Sequence, residues 1–177
     1  MYVGDEIYAL ITVRSLAADE GLLLKRLRLS ALQESPDAFS PTFDAANLHD
    51  DEYWKQSAVK TVASAEFDIF IAEMDGQPVG LVSGSVSGKA HETQTGHIGM
   101  MWADPKVRGS GVGRQLLNHV MDYLEKLDCL TIKLTVTETN QGAINLYESA
   151  GFIFTGNDEP LTQGSILQNR EMQLVEN

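Results

Sequence analysis

Between Trp102 and Leu117 the chain reads WADPKVRGSGVGRQLL, with glycines at 109, 111 and 113 held between Arg108 and Arg114. Ahead of it stands TGHIGMMWAD (95–104), a strand-like run. After it, over 113–127, Leu116, Leu117, Val120, Met121, Leu124 and Leu127 fall on one helical stripe. A strand that ends in a glycine turn opening a helix leaves several backbone N–H groups unpaired at the positive end of the helix dipole. Such a turn suits an anion, phosphate or pyrophosphate. Glycine is needed because a Cβ would hold the oxygens off the backbone and because some turn positions require positive φ. Arg108 and Arg114 add charge-assisted contacts. A strand, a turn and a helix in this order belong to a domain that mixes helices with a sheet.

The rest of the chain agrees. EIYALITVR (6–14) reads as a first strand, and Asp19 as the N-cap of EGLLLKRLRLSALQE, whose Leu23, Leu24, Leu27 and Ala31 form a helical face. Pro36 and Pro41 break that helix into a loop, SPDAFSPTFD. A second helix is expected over about 50–64, with Asp50 or Asp51 near its start. FDIFIAEM (67–74) and PVGLVSGSVSG (78–88) read as strands joined by a hairpin turn at Asp75-Gly76-Gln77. LTIKLTVTE (130–138) alternates as a strand, NQGAINLYESAGF reads as a short helix closed by Gly151, and FIFTG and ILQNREMQLV supply two last strands around a polar turn. The expected order is β-α-α-β-β-β-α-β-α-β-β: a mixed α/β domain with a central hairpin meander and helices on both faces.

A chain of 177 residues fits one domain, 1–177, and is long enough to bury a full core. There is no apolar run near membrane-spanning length, and the N-terminus lacks a basic segment followed by an apolar core, so no signal peptide is expected. With one cysteine, Cys129, read as a packed thiol, the expectation is a cytoplasmic protein. Lys and Arg number 13 against 25 Asp and Glu, without the basic clusters of a phosphate-backbone footprint, so neither nucleic acid nor membrane is expected as partner. His49, His91, His97 and His119 show no ligand spacing with other donors, so no metal is implied.

Three phosphate-bearing ligands compete for the glycine turn. A P-loop needs GxxxxGK, and no lysine stands there. A dinucleotide fingerprint needs GxGxxG, whereas the spacing here is GxGxG and falls two-thirds of the way along the chain. A CoA pyrophosphate is the third. A tight turn that binds nothing also stays open at this level.

RGSGVG (108–113) resembles the Arg/Gln-x-x-Gly-x-Gly/Ala signature of the GCN5-related N-acetyltransferases, the GNAT superfamily. NQGAINLYESAGF (140–152) resembles its second landmark, Asn-x-x-Ala-x-x-Leu-Tyr-x-x-x-Gly-Phe, at every fixed position, and MWADPKVRG resembles the usual approach to the turn. The element order agrees with the family fold, a mixed central sheet of about six to seven strands, so the resemblance covers essentially the whole chain. It implies acetyl-CoA as acyl donor and direct transfer to a primary amine. Amides from Gly109 through Ser110, Gly111, Val112 and Gly113 to Arg114 would cradle the pyrophosphate. Main-chain groups around Met101, Trp102 and Ala103 would pair with pantetheine and polarise the thioester carbonyl. Asn140 caps its helix and, by the same resemblance, contacts the cofactor.

Tyr147 falls where many members place a tyrosine that protonates the departing thiolate, and a phenol with pKa near 10 keeps its proton at neutral pH. Packing beside Leu146 and Phe152 is the alternative. The amine must lose a proton before attack, and His97, at a strand position where several members carry a catalytic Glu, is the first candidate base. Glu138 is second and Glu73 third, Glu73 being placed at the far edge of the meander. Relay through water alone is also allowed.

Acceptor specificity is expected from SPDAFSPTFD, the helix holding Tyr53 and Trp54, the 83–95 hairpin and the 156–165 turn. Phe39, Phe43 and Trp54 would wall a pocket, with Asp44, Glu92 or Asp158 drawing in a cation. The acidic balance of the chain favours a small amine over a peptide amine. The resemblance also raises a homodimer, since members often pair through edge strands or C-terminal elements. Two rivals stand beside the enzyme: a non-catalytic CoA-binding regulatory domain, and a dinucleotide-dependent enzyme. A Ser or Cys nucleophile is disfavoured because no Gly-x-Ser-x-Gly elbow occurs.

Overall fold

A computed structural model describes residues 9–89, 92–162 and 165–175. Residues 6–8 of the expected first strand, 90–91 of the hairpin and 163–164 of the polar turn lie outside the described residues. The elements run β1 (Ile11–Ser15), α1 (Gly21–Glu34), α2 (Phe43–Asn47), α3 (Asp51–Val62), β2 (Phe67–Met74), β3 (Gln77–Ser87), β4 (Thr95–Ala103), α4 (Val112–Lys126), β5 (Thr131–Thr137), α5 (Gln141–Glu148), β6 (Phe152–Pro160) and β7 (Gln168–Leu174). The order is the expected one with a single addition, the short α2, which Thr42 caps by accepting from the Ala45 amide. Asp50 caps α3 through the Tyr53 amide at 2.9 Å.

The start of α1 differs from expectation. Asp19 is not its N-cap. Glu20 holds that position without a side-chain cap and turns its carboxylate instead to the Ala17 amide and to Arg14. The ion pair and the amide together outcompete capping for the same oxygens.

One seven-stranded sheet runs in the order β1-β2-β3-β4-β5-β7-β6. Every neighbouring pair is antiparallel except β4 and β5. β1 covers the outer edge of β2, so β2 is not the edge of the meander. The alternation of each strand splits the core in two. Phe70, Val82 and Ile98 face α4, whose Leu116, Leu117, Val120 and Leu124 are all fully buried. Burial of each such side chain contributes about 1.5–3 kcal/mol. Ile69, Ile71 and Leu81 face the other way, onto Leu24, Leu27 and Ala31 of α1 and Trp54 and Ala58 of α3. Glycines set how closely helices approach the sheet: a Cβ on Gly84 would lie 2.9 Å from the Val120 side chain.

Candidate active site

Two features of the sheet make the site. In the first, Leu81 faces Trp102 and Ser83 faces Gly99, so Met100 and Met101 together oppose Val82 and form a β-bulge. Met100 takes φ 52° there, a conformation few non-glycine residues adopt. In the second, β4 pairs with β5 only where Thr95–Ile98 meets Thr131–Leu134. Both strands continue, β4 on β3 and β5 on β7, but no longer on each other. Gly99, Met100 and Met101 on one side and Thr135, Val136 and Thr137 on the other line the resulting opening.

The opening leads into a cavity of about 750 Å³ that reaches under α1 and α3. That volume suits a small organic ligand. Thr137 donates to the carbonyl of Asp37 at 2.7 Å, tying the end of β5 to the short turn after α1 that roofs the cavity.

The glycine turn follows β4 directly. Gly109 and Gly111 take φ 83° and 98°, which glycine alone adopts without strain. Gly113 lacks a Cβ where one would come within 3.3 Å of the Leu146 side chain, so α5 packs close against the start of α4. Ser110 donates to the Val107 carbonyl and Gln115 to the Gly111 carbonyl. Among the described residues the amides of Gly109, Gly111, Val112, Gly113 and Arg114 have no partner in the chain. They are the donors that the sequence leads one to expect at a helix N-terminus.

The two flanking arginines brace the turn. Arg108 pairs with Glu34 at 2.6 Å and donates to the Ala103 carbonyl at 3.2 Å. Glu34 also accepts from the Trp102 indole at 3.1 Å, which fastens the end of α1 to both β4 and the turn. Arg108, Ser35 and Trp102 hold the Glu34 carboxyl below the usual range, outweighing its partial burial. Arg114 donates to the Ser149 hydroxyl at the end of α5.

Asn140 caps α5 by accepting from the Ala143 amide at 3.2 Å and stands in the cavity wall. Tyr147, on the next turns of α5, also lines the cavity while only 5% exposed, and its ring meets Phe152 edge-on at 6.1 Å. Burial pushes its phenol well above the ordinary tyrosine range. Cys129 lies away from the cavity wall, and burial together with Asp128 pushes its thiol up, disfavouring the thiolate.

The three candidate bases are elsewhere. His97 lies on the stretch of β4 still paired with β5, is exposed, and shares a 2.7 Å hydrogen bond with the Ser87 hydroxyl. Glu138 accepts from the Gln168 amide at 3.0 Å. Glu73 lies on the interior strand β2, 2.7 Å from Arg14, which also pairs with Glu20. None of the three stands in the cavity wall. The expected acidic attraction is also missing: Asp44, Glu92 and Asp158 are not in the wall, and Asp158 pairs with Arg170 at 3.5 Å. Phe39, Tyr53 and Trp54 do line the cavity, whereas Phe43 packs outside it. Among the described residues, no group of His, Cys, Asp and Glu is arranged to hold a metal ion.

Sequence reasoning passed over Arg28. It is 7% exposed, lines the cavity from α1, and lies over the Phe39 ring at 4.9 Å. The signal was available: Arg28 sits a turn beyond Leu24 on the same stripe as Leu27 and Ala31, where a charge is out of place.

Residues 29–152 match the acetyltransferase (GNAT) family, and the chain belongs to that family. The chain is 37% identical over 106 residues to the mycothiol acetyltransferase of Acidothermus cellulolyticus, a match covering 54% of this chain and 32% of that protein. Over 49 residues it is 49% identical to the ribosomal protein bS18-alanine N-acetyltransferase of Escherichia coli, covering 28% of this chain and 33% of the other. The chain thus spans about a third of the length of these curated relatives. The fold is shared with yncA of Salmonella typhimurium, solved with its cofactor acetyl-CoA, at a TM-score of 0.75 and 19% identity over 95% of this chain and 96% of that one.

Proposed function

We propose that this protein is an acetyl-CoA-dependent N-acetyltransferase that acetylates the primary amine of a small molecule directly, with no acyl-enzyme stage. The observation that carries the reading is the opening between β4 and β5, which leads from the bulge at Met100 and Met101 into the 750 Å³ cavity. The residues fit an acyl-CoA. Unpaired amides from Gly109 to Arg114 suit its pyrophosphate, and the parted strand edges suit an extended pantetheine arm, with Asn140 beside it. When bound, acetyl-CoA supplies the acetyl group as an activated thioester.

The chain's own groups do the rest. An amide near Met101 or Ala103 donates to the thioester carbonyl as charge builds on it. Tyr147 gives its phenolic proton to the departing sulfur. The amine nitrogen forms the new bond to the acetyl carbon as the carbon–sulfur bond breaks. The amine sheds one proton to water, and Tyr147 recovers one from water. With no carboxylate in the wall among the described residues, that relay runs through solvent rather than through His97 or Glu138.

A cavity of about 750 Å³ is of a size that suits a small acceptor. The relative named for a ribosomal protein motivates the second reading, a peptide N-terminus. The test is CoA release, followed with a thiol-reactive dye, across amines, amino acids and peptides, beside the melting temperature with and without acetyl-CoA. Turnover of small amines carries the reading. Turnover on peptides alone replaces the acceptor class. A melting temperature that acetyl-CoA leaves unmoved, with no turnover, overturns it.

A further inference from the structure

The cavity under α1 and α3 has the wrong charge for a cationic acceptor. The chain as a whole carries a formal charge of −12, yet the charged side chains in this wall are Arg28 and Lys60, with no Asp or Glu among the described residues. Lys60 is exposed at the rim, where water solvates it. Arg28 is not so placed. Its Nη1 is buried without a hydrogen-bond partner, and among the described residues no carboxylate pairs with the guanidinium. The guanidinium lies over the face of Phe39, 4.9 Å from the ring centroid.

A buried charge left without a partner destabilises the fold that holds it. Burial alone draws the Arg28 guanidinium below its usual pKa, with no compensating pair. A second donor in the same wall is also unsatisfied: the Trp54 indole Nε1, on α3, is buried with no partner. Guanidinium and indole are donor-only groups. What satisfies both is a ligand rich in acceptors and carrying negative charge. One guanidinium balances one unit of charge and offers the planar fork that a carboxylate matches.

We propose that the acceptor is an aminocarboxylate, such as a free amino acid, whose carboxylate is held by Arg28, with the Trp54 indole as a further donor. This rests on the acetyltransferase reading above and narrows its acceptor. It also replaces the expectation that Asp44, Glu92 or Asp158 draws in a cation. A polyamine brings positive charge to a wall already holding two cations, whereas a zwitterion brings its own counter-charge.

The test uses matched amines that differ in one group: amino acids and short dipeptides, their methyl esters, and amines bearing a phosphate monoester in place of the carboxylate. The wild-type protein should turn over free carboxylates with kcat/KM about 100-fold above their methyl esters, the selectivity expected when a buried charge loses its partner. Arg28→Met should remove that selectivity, leave acetyl-CoA affinity within about threefold, and melt no lower than wild type, because an apolar side chain of similar length relieves the unpaired charge. A purely structural Arg28 would instead lower the melting temperature without touching the carboxylate-to-ester ratio. Equal turnover of esters and acids, preference for phosphate or for polyamines, or an Arg28→Met variant that keeps the ratio, each overturns the proposal. If Arg28→Met fails to fold, the wild-type ratio decides. Failure of the broader reading is separate, because it shows as no binding of acetyl-CoA at all.

Discussion

At Tyr147 packing and the proposed proton donation fall on one residue. Its ring is held edge-on by Phe152, and the residue stands in the cavity wall. Tyr147→Phe keeps the ring contact and removes only the proton, so we expect kcat to fall about 100-fold with acetyl-CoA affinity unchanged; single-turnover rates beside calorimetric binding check it. Equal losses in both would make the tyrosine a packing residue. Its burial has a consequence for stability as well. The folded-state pKa lies above the unfolded one, so the stabilisation is complete below about pH 10 and is lost as pH rises further, because the unfolded chain ionises first. Unfolding free energy should be insensitive to this group below about pH 10 and fall above it by up to about 1.4 kcal/mol per pH unit. Urea titrations of wild type and Tyr147→Phe from pH 8 to 11 should show the variant losing less. Tyr147 was singled out by resemblance to the family motif, whereas the Asn140 cap was legible in the sequence because a capping residue is a local fact. Glu34 was not, since the partners that give it a role, Trp102 and Arg108, lie 68 and 74 residues away. Arg28 was half legible: its position on an apolar stripe is visible, but whether a carboxylate answers it depends on the folded surroundings.

Helix packing shows the same division one scale up. β2 spans Phe67–Met74, and α3 begins after Asp50, where alternation and capping place them. The divergence of β4 from β5 has no such local signature. It depends on β7 entering between β5 and β6, with Thr135 opposite Glu171 and Phe154 opposite Met172. The crossing of α1 over α3 is equally non-local, and it rests on one glycine. A Cβ on Gly21 would lie 2.4 Å from the Lys55 Cα and 2.6 Å from the Trp54 carbonyl oxygen, both backbone atoms that have nowhere to go. Gly21→Ala therefore pushes α3 outward, at a cost of about 1–3 kcal/mol, or a melting temperature lower by about 2–12 °C for a chain of this size. Because Trp54 and Ser57 of α3 line the cavity, the acceptor KM should rise several-fold. The glycine turn starts on the far side of the sheet, so acetyl-CoA affinity should hold within about threefold. A comparable loss of both affinities would mean that the helices and the turn move as one body.

At the scale of the whole molecule, the formal charge of −12 opposes the local chemistry of both proposed binding regions. The amides and Arg114 at the start of α4, and Arg28 within the cavity, attract anions over a few ångströms, whereas the surrounding surface repels them over the Debye length. That length shrinks from about 30 Å at 0.01 M salt to about 8 Å at 0.15 M. Added salt should therefore weaken the long-range repulsion more than the short, partly buried attractions. We expect kcat/KM for acetyl-CoA to rise about two- to fivefold between 0.01 and 0.15 M sodium chloride, an effect on association rate rather than on kcat. Stopped-flow association across that range separates the two. A rate that falls with salt would mean that the positive end of α4 governs the approach of the anion, and that the acidic residues lie too far from its path to be felt.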